Sequence, residues 1–345
     1  MTEIFDLARL AETPLTAEEA ARLFGEILSG RADDDEVKAF LVALSARKPA
    51  ISEFVGAVEA MRAQMRGITA PKLAIDLCGT GGDGLGTLNI STAVSFVVAA
   101  AGVPVAKHGN RSMSSKSGAA DILEALGVKI DLPPGLAERV LRETGIVFLF
   151  AQTHHPAMRH VAAARRAIGK RTIFNLLGPM ASPARVKRQL VGVFAEEWLI
   201  PYAEALKALG TERAMVVHGA DGLDELTTTD VTYVATLKDG AVSRSEIAPE
   251  DAGLKRVRMT DLQGGTASEN AEALTALFAG QEGAYRDIVL FNSAGALMVA
   301  GLAEDIMSGM ALARAALDSG AAKAKLDHLV EASTREAANS EFTDL

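Results

Sequence analysis

The chain has 345 residues, 49% of them hydrophobic and 23% charged, and a formal net charge of -9. That length leaves room for one large domain or two, and the composition is that of a globular protein with ample core. The acidic balance argues against nucleic acid as the main partner, and the lone Cys78 excludes an internal disulfide and suits a reducing cytoplasm. The first residues, MTEIFDLARL, carry acidic side chains and no apolar core of signal-peptide length. The longest apolar run, residues 93–106, is too short for a membrane span and is interrupted by Gly102 and Pro104.

Up to about residue 66 the pattern is helical throughout. Thr16 and Glu19 form a capping box ahead of a stripe of Ala20, Leu23, Phe24, Ile27 and Leu28, and Gly30 ends that helix. Residues 33–46 make a second helix with Val37, Phe40, Leu41 and Leu44 as its stripe. Ser52 is expected to cap a third, with Phe54, Val55, Val58, Met61 and Met65 inward. Residues 67–71 read as a linker. The expected division is thus a small helical domain over 1–70 and a large α/β domain with a mainly parallel central sheet over 71–345.

The stretch from 73 to 121 carries the strongest signal. Residues 73–78 are a short apolar run leading into Gly79-Thr80-Gly81-Gly82-Asp83-Gly84, so a buried strand enters a loop whose glycines allow close backbone approach to a ligand. Asn89, Ser91 and Thr92 offer caps for a helix running to about Ala101, and residues 103–106 form a second strand. A second polar loop, Lys107-His108-Gly109-Asn110-Arg111-Ser112, follows it. Both loops would leave the carboxyl ends of parallel strands, where such sheets bind ligands. Between Asp83 and Asp121 there is no Asp or Glu, while Lys107, His108, Arg111 and Lys116 all fall there. Glycine loop, helix N-terminus and basic loop together form a site for phosphate groups. Gly79, Gly81 and Gly84 also fit the dinucleotide fingerprint, but the helix opens too late and Lys107 stands where an acidic residue would hold a ribose. A Walker A loop is absent, as is the acidic pair that marks the commoner phosphoribosyltransferases.

Further along, strand alternates with helix. A helix is expected over 120–126, a short strand over 128–132, a helix over 136–143 and an apolar strand over 146–150. Residues 153–159 form a polar loop holding His154 and His155, which are too close in sequence to favour a shared metal. The helix that follows carries Arg159, Arg165, Arg166, Lys170 and Arg171; for Arg159, Arg166 and Arg171 the expected role is a solvated face. Residues 173–179 are short, apolar and turn-bounded. Residues 189–194 and 215–218 are strands, with a helix over 198–209 between them. The second strand ends in an acidic loop with Asp221, Asp224 and Glu225, hard oxygen ligands suited to Mg²⁺ beside a phosphate site. Asp239-Gly240 makes a hairpin turn. Residues 271–278, 292–301 and 306–332 are expected to be helical, with an apolar run at 288–291.

The motifs Gly79-Thr80-Gly81-Gly82-Asp83, Asn89-Ile90-Ser91-Thr92, Lys107-His108-Gly109-Asn110-Arg111-Ser112, His155-Pro156-Ala157-Met158, Thr172-Ile173-Phe174-Asn175-Leu176-Leu177-Gly178-Pro179 and Asp224-Glu225-Leu226 resemble the anthranilate phosphoribosyltransferase family, in its order and spacing. The resemblance spans essentially the whole chain, and the second loop distinguishes it from the related pyrimidine nucleoside phosphorylases. It implies a helical domain joined through a segment near 165–190 to a larger α/β domain, and a homodimer formed through the helical domain. The implied reaction moves 5-phosphoribosyl from its 1-pyrophosphate to the amine of anthranilate, in tryptophan biosynthesis. By motif position, the phosphoribosyl pyrophosphate would be held by Gly79, Gly82, Asp83, Thr87, Asn89, Ile90, Ser91 and Thr92. Lys107, His108, Gly109, Asn110, Arg111, Ser112, Met113, Ser114, Ser115 and Ala119 would complete its site. Ser91, Asp224 and Glu225 would bind Mg²⁺, and Gly79, Asn110 and Arg165 would contact anthranilate. Lys107, His108 and Arg165 are the catalytic candidates. At Ala119 the family usually has a hydroxyl residue, so contact there must be through backbone or water. The alternatives are a nucleoside phosphorylase and a non-catalytic relative that binds nucleic acid; the acidic charge weighs against the latter.

Overall fold

The structure, a computed structural model, describes residues 7–112 and 116–341. Four helices come first: α1 (Leu7–Glu12), α2 (Ala17–Leu28), α3 (Asp34–Ala46) and α4 (Ile51–Gln64). The Thr16–Glu19 box caps α2 as expected, and Asp33 with Glu36 caps α3. Ser52 does not cap α4. The helix starts one residue before it, because Glu53 reaches back to the Ala50 N–H at 2.7 Å, and Ser52 Oγ instead donates to Leu15 O at 2.6 Å. Glu53 is fully buried, takes the Leu15 N–H at 2.9 Å and pairs with Arg47, so one carboxylate ties three segments of the bundle. A buried charge is retained only when it is paired in this way.

Seven strands form one sheet: β1 (Ile75–Leu77), β2 (Val105–Gly109), β3 (Ile146–Phe150), β4 (Arg188–Gly192), β5 (Arg213–Gly219), β6 (Thr232–Lys238) and β7 (Ala241–Ile247). The order is β3-β2-β1-β4-β5-β6-β7, parallel through β5 and antiparallel beyond it. Asp239 and Gly240 both have positive φ, 51° and 76°, which gives the β6–β7 hairpin a primed turn. The order reverses direction at β1 and β4, so the switch point lies where the glycine loop leaves β1.

Each face of the sheet has its own core. One is formed by α5 (Ile90–Ala100) and the helices Ala284–Ala300, Ile306–Asp318 and Ala321–Glu341. The other joins the N-terminal bundle to the helices Phe174–Met180 and Leu199–Ala208 and to Val191, Val193 and Val216 of the sheet side. Edge-on aromatic pairs mark that junction, Phe24 with Phe174 at 5.7 Å and Phe54 with Trp198 at 5.7 Å.

Several expectations change. Residues 128–132 are not a strand: Val128, Ile130 and Leu132 alternate inward, but the Lys129 N–H goes to Ser333 Oγ of the last helix at 3.1 Å. Alternation reports one-sided burial, and here a helix supplies the covering surface. The polar segment after β3 is not an open loop but two short helical pieces, Ala151–His154 and Pro156–Val161. The apolar run at 288–291 lies inside the single helix Ala284–Ala300, and the predicted helix over 306–332 is split at Ser319-Gly320, where Gly320 has φ 77°. No described helix is long and apolar enough to cross a membrane.

Candidate active site

The loops after β1, β2, β4 and β5 meet at the carboxyl end of the sheet. The glycine loop is fastened first. Thr80 N donates to Gly192 O at 2.8 Å, and Thr80 Oγ1 accepts the Phe194 N–H at 3.2 Å. Gly79 has no room for a side chain, since a Cβ there would lie 2.3 Å from Asp224 Oδ2. Gly81, at φ 67°, donates its N–H to the same oxygen at 2.9 Å. The glycines therefore let the β1 loop close onto an acidic residue from the β5 loop, 143 positions away. Farther along, Thr87 bridges to Gln263, and Leu88 N donates to Leu262 O at 2.9 Å, so this loop is also held from outside.

Asn89 precedes α5, but its side chain does not cap that helix. Its amide oxygen takes the Asn270 Nδ2–H at 2.8 Å and its Nδ2 donates to Ser117 O at 3.4 Å. Asn89 thus joins the two loops to the helix Ala267–Phe278. The amino end of α5 faces Glu225 instead: the Ser91 N–H reaches that carboxylate. Helix N-termini favour negative charge by about 0.3–1 kcal/mol, which suits a carboxylate or phosphate here.

Lys107 and His108 are neighbours on β2 and point to opposite faces. Lys107 is 3% exposed; its Nζ donates to Leu77 O and, at 3.1 Å, to Ser91 Oγ. Its charge also acts on Glu225. His108 turns toward the bundle, with Nδ1 3.2 Å from Gly178 O, which makes Nδ1 the protonated nitrogen. Its buried Nε2 has no hydrogen-bond partner among the described residues. Burial, followed by the fields of His155 and His154, holds His108 well below the usual histidine range, so it is neutral at pH 7. It does not add to the positive charge of the loop. His155 lies 5.1 Å from it ring to ring, and burial first, then His154, lowers its pKa to about 4.

The carboxylates behave in the opposite sense. Burial and then Asp83 raise Asp224 to about 7, and burial and then Asp224 raise Glu225 to about 8. Asp83 acts on both Asp224 and Glu225 while Lys107 acts on Glu225, so the group is short of positive charge, which a divalent cation would supply. Among the described residues no three His, Cys, Asp or Glu side chains form a ready-made metal cage. Mg²⁺ is usually held by one or two carboxylates with waters and substrate phosphates, and Asp224 and Glu225 offer such a pair. Asp221, the third acid of the β5 loop, turns away: it accepts from the Thr227 hydroxyl at 2.6 Å and the Leu223 N–H at 3.0 Å, and so shapes the turn.

The rest of the second loop is partly spoken for. Arg111 pairs with Asp121 at 3.1 Å and with Glu124, which neutralises much of its charge. Ser112 N and Gly118 N both donate to Asp121 Oδ2, at 3.2 and 2.8 Å, and Asn110 accepts the Ala120 N–H at 3.2 Å. Ala119 opens the helix Ala119–Ala125; Met113, Ser114 and Ser115 lie outside the described residues. Arg165, on the helix Ala162–Ile168, is half-buried with its guanidinium 5.7 Å from the centre of the Phe174 ring. Arg171, expected on a solvated face, is exposed and also donates to Gly82 O and lies over the Phe194 ring at 4.1 Å. The glycine loop and the segment bearing Arg165 are therefore tied together. Asn270 and Arg171 were missed because nothing local in the sequence marks a side chain whose partner is a distant loop.

The protein is thus an α/β chain with an N-terminal helical bundle, whose glycine loop, Lys107 and carboxylates gather at the switch point of a mainly parallel sheet. Comparison with known proteins narrows this. Residues 8–65 match the glycosyl transferase family, helical bundle domain, and residues 71–323 match the glycosyl transferase family, a/b domain. An anthranilate phosphoribosyltransferase of Azorhizobium caulinodans is 55% identical over 320 residues, covering 93% of each chain. The crystal structure of the same enzyme from Thermus thermophilus matches with a TM-score of 0.91 at 39% identity, over 97% of this chain and all of that one. A Saccharomyces cerevisiae structure in complex with PRPP and Mg matches at 0.89 and 25% identity, over 97% of this chain and 98% of that one. The chain belongs to the glycosyl transferase family and, within it, to the anthranilate phosphoribosyltransferases.

Proposed function

We propose that this protein transfers the 5-phosphoribosyl group from 5-phosphoribosyl 1-pyrophosphate to the amine of anthranilate, giving N-(5-phosphoribosyl)anthranilate and pyrophosphate, a step of tryptophan biosynthesis. The observation that carries this is the meeting of the glycine loop, Lys107 and the Asp224–Glu225 pair at one strand-end site. As the C1–pyrophosphate bond breaks, negative charge grows on the leaving group. Lys107 and the loop N–H groups are our candidates for stabilising it, since donors fixed before reaction cost no reorganisation. Asp224, Glu225 and the Ser91 hydroxyl are the residues that would hold Mg²⁺. When bound, the ion supplies charge neutralisation to the diphosphate.

The nucleophile is an aryl amine, uncharged at pH 7, so it needs orientation more than activation. Arg165 is our candidate for the anthranilate carboxylate, because a guanidinium fork matches that group. The new bond forms between the amine nitrogen and C1, and the nitrogen then loses a proton. His108 is the candidate acceptor, since its Nε2 carries the free lone pair. Gly79 and Asn110, on the loops after β1 and β2, are the other proposed anthranilate contacts. Residues 1–70 and 71–345 are proposed as two domains connected near 165–190, a division supported by the helical-bundle match ending at residue 65. We propose a cytoplasmic homodimer formed through the helical domain, where Val42 and Ile51 are exposed at 49% and 38%. Neither nucleic acid nor membrane is a proposed partner.

The test is to mix the protein with phosphoribosyl pyrophosphate, Mg²⁺ and anthranilate and follow loss of anthranilate fluorescence. Turnover that requires all three components supports the reading, and no loss overturns it.

A further inference from the structure

The sheet opens at the site. β1 pairs with β4 through all three of its residues, yet it pairs with β2 only at Ile75↔Val105. β2 itself stays paired with β3 through all five of its residues, as far as Gly109↔Phe150. Two side chains, one from each strand, bridge the gap between β1 and β2. Asp76 Oδ1 accepts the His108 N–H at 2.9 Å, and Lys107 Nζ donates to Leu77 O. Asp76 is fully buried and His108 nearly so, at 5% exposure. A continuing parallel ladder would offer His108 a backbone carbonyl; here a carboxylate takes its place.

We infer that Asp76 is a positioning residue: by holding the His108 N–H it fixes where Lys107 and His108 stand at the rim of the opened sheet. The arrangement solves a geometric problem. A site between two parallel strands needs them apart at their carboxyl ends, but a parted strand end is free to shift. A side-chain acceptor is longer than a backbone one, so it holds the strands at a greater separation without releasing them. Burial raises the Asp76 carboxyl to about 6 against the pull of the His108 N–H and the Lys107 charge, a sign that the group is kept inside despite its desolvation. Buried ionic groups are weak evidence for stability, which directs attention to placement.

This inference rests on the transferase reading above. Wild-type turnover tests that reading separately, and hydrogen exchange at the His108 amide tests the tether whatever the substrates prove to be. Asp76→Ala removes the acceptor, whereas Asp76→Asn keeps an acceptor oxygen and removes the charge. We expect Asp76→Ala to lower kcat/KM for phosphoribosyl pyrophosphate about thirtyfold or more, with KM for anthranilate changed less than about threefold and faster exchange at His108. Asp76→Asn should return to within about fivefold of wild type and protect the amide. If Asp76→Ala does not fold, Asp76→Ser, too short to span the gap, takes its place. Wild-type kcat/KM in the acceptor-less variant overturns the inference. So does an Asp76→Asn enzyme as poor as Asp76→Ala, since that result assigns the role to the charge.

Discussion

The two faces of β2 differ in how they handle charge. On the side of α5, Lys107, Asp83, Asp224, Glu225 and Ser91 form a polar cluster in which burial and neighbouring carboxylates raise Asp224 to about 7 and Glu225 to about 8. On the side of the bundle, His108 and His155 are buried, neutral and 5.1 Å apart, and the only cation we assign to that side is Arg165. One face suits a metal-bound diphosphate. The other suits a small aromatic acid whose amine must stay uncharged. A single residue step along a strand separates the two, because successive side chains of a strand point to opposite faces.

Damage to the charged face should be the most severe. Asp224→Ala with Glu225→Ala is expected to lower turnover about a thousandfold or more while the fold persists, read by the anthranilate assay alongside circular dichroism. Lys107→Ala should cost about 100- to 1,000-fold in kcat, the usual effect of removing one preorganised donor from a developing anion. On the other face the loss should be selective. Arg165→Ala is expected to raise KM for anthranilate about 10- to 100-fold with phosphoribosyl pyrophosphate affinity nearly unchanged, and equal losses for both substrates would count against that role. The smallest expected effect is none. The His108 and His155 imidazole resonances should not shift between pH 8 and 6, because both titrate below that window. A shift centred near pH 6.5 would show that this face is not neutral.

Much of this was legible in the residues. The glycine cluster, the acid-free interval from 84 to 120 and the acidic loop at 221–225 announced both halves of the charged face, because each is local in sequence. The Thr16–Glu19 capping box and the Asp239-Gly240 turn marked a helix start and a hairpin for the same reason. What stayed hidden depends on three-dimensional neighbours. Nothing in residues 128–132 says that a helix near Ser333 would cover them. Arg111 counts as a cation in the sequence but is paired with Asp121 and Glu124. His108 sits in a basic motif and yet is neutral, since burial decides its state and burial is set by the bundle and by His155. Arg171 and Asp76 act through Gly82 O and the His108 N–H, backbone groups that no motif displays.

The charged face is proposed to bind the sugar diphosphate together with Mg²⁺. Metal binding needs ionised carboxylates, and groups titrating at about 7 and 8 without the ion must release protons as it binds, so affinity should weaken as pH falls from 8 to 6. Calorimetric titration of phosphoribosyl pyrophosphate at pH 8, with and without Mg²⁺, reads this directly. Binding should be at least about tenfold tighter with the ion present, with proton release that grows toward pH 7. Absence of binding in the presence of Mg²⁺ would contradict it.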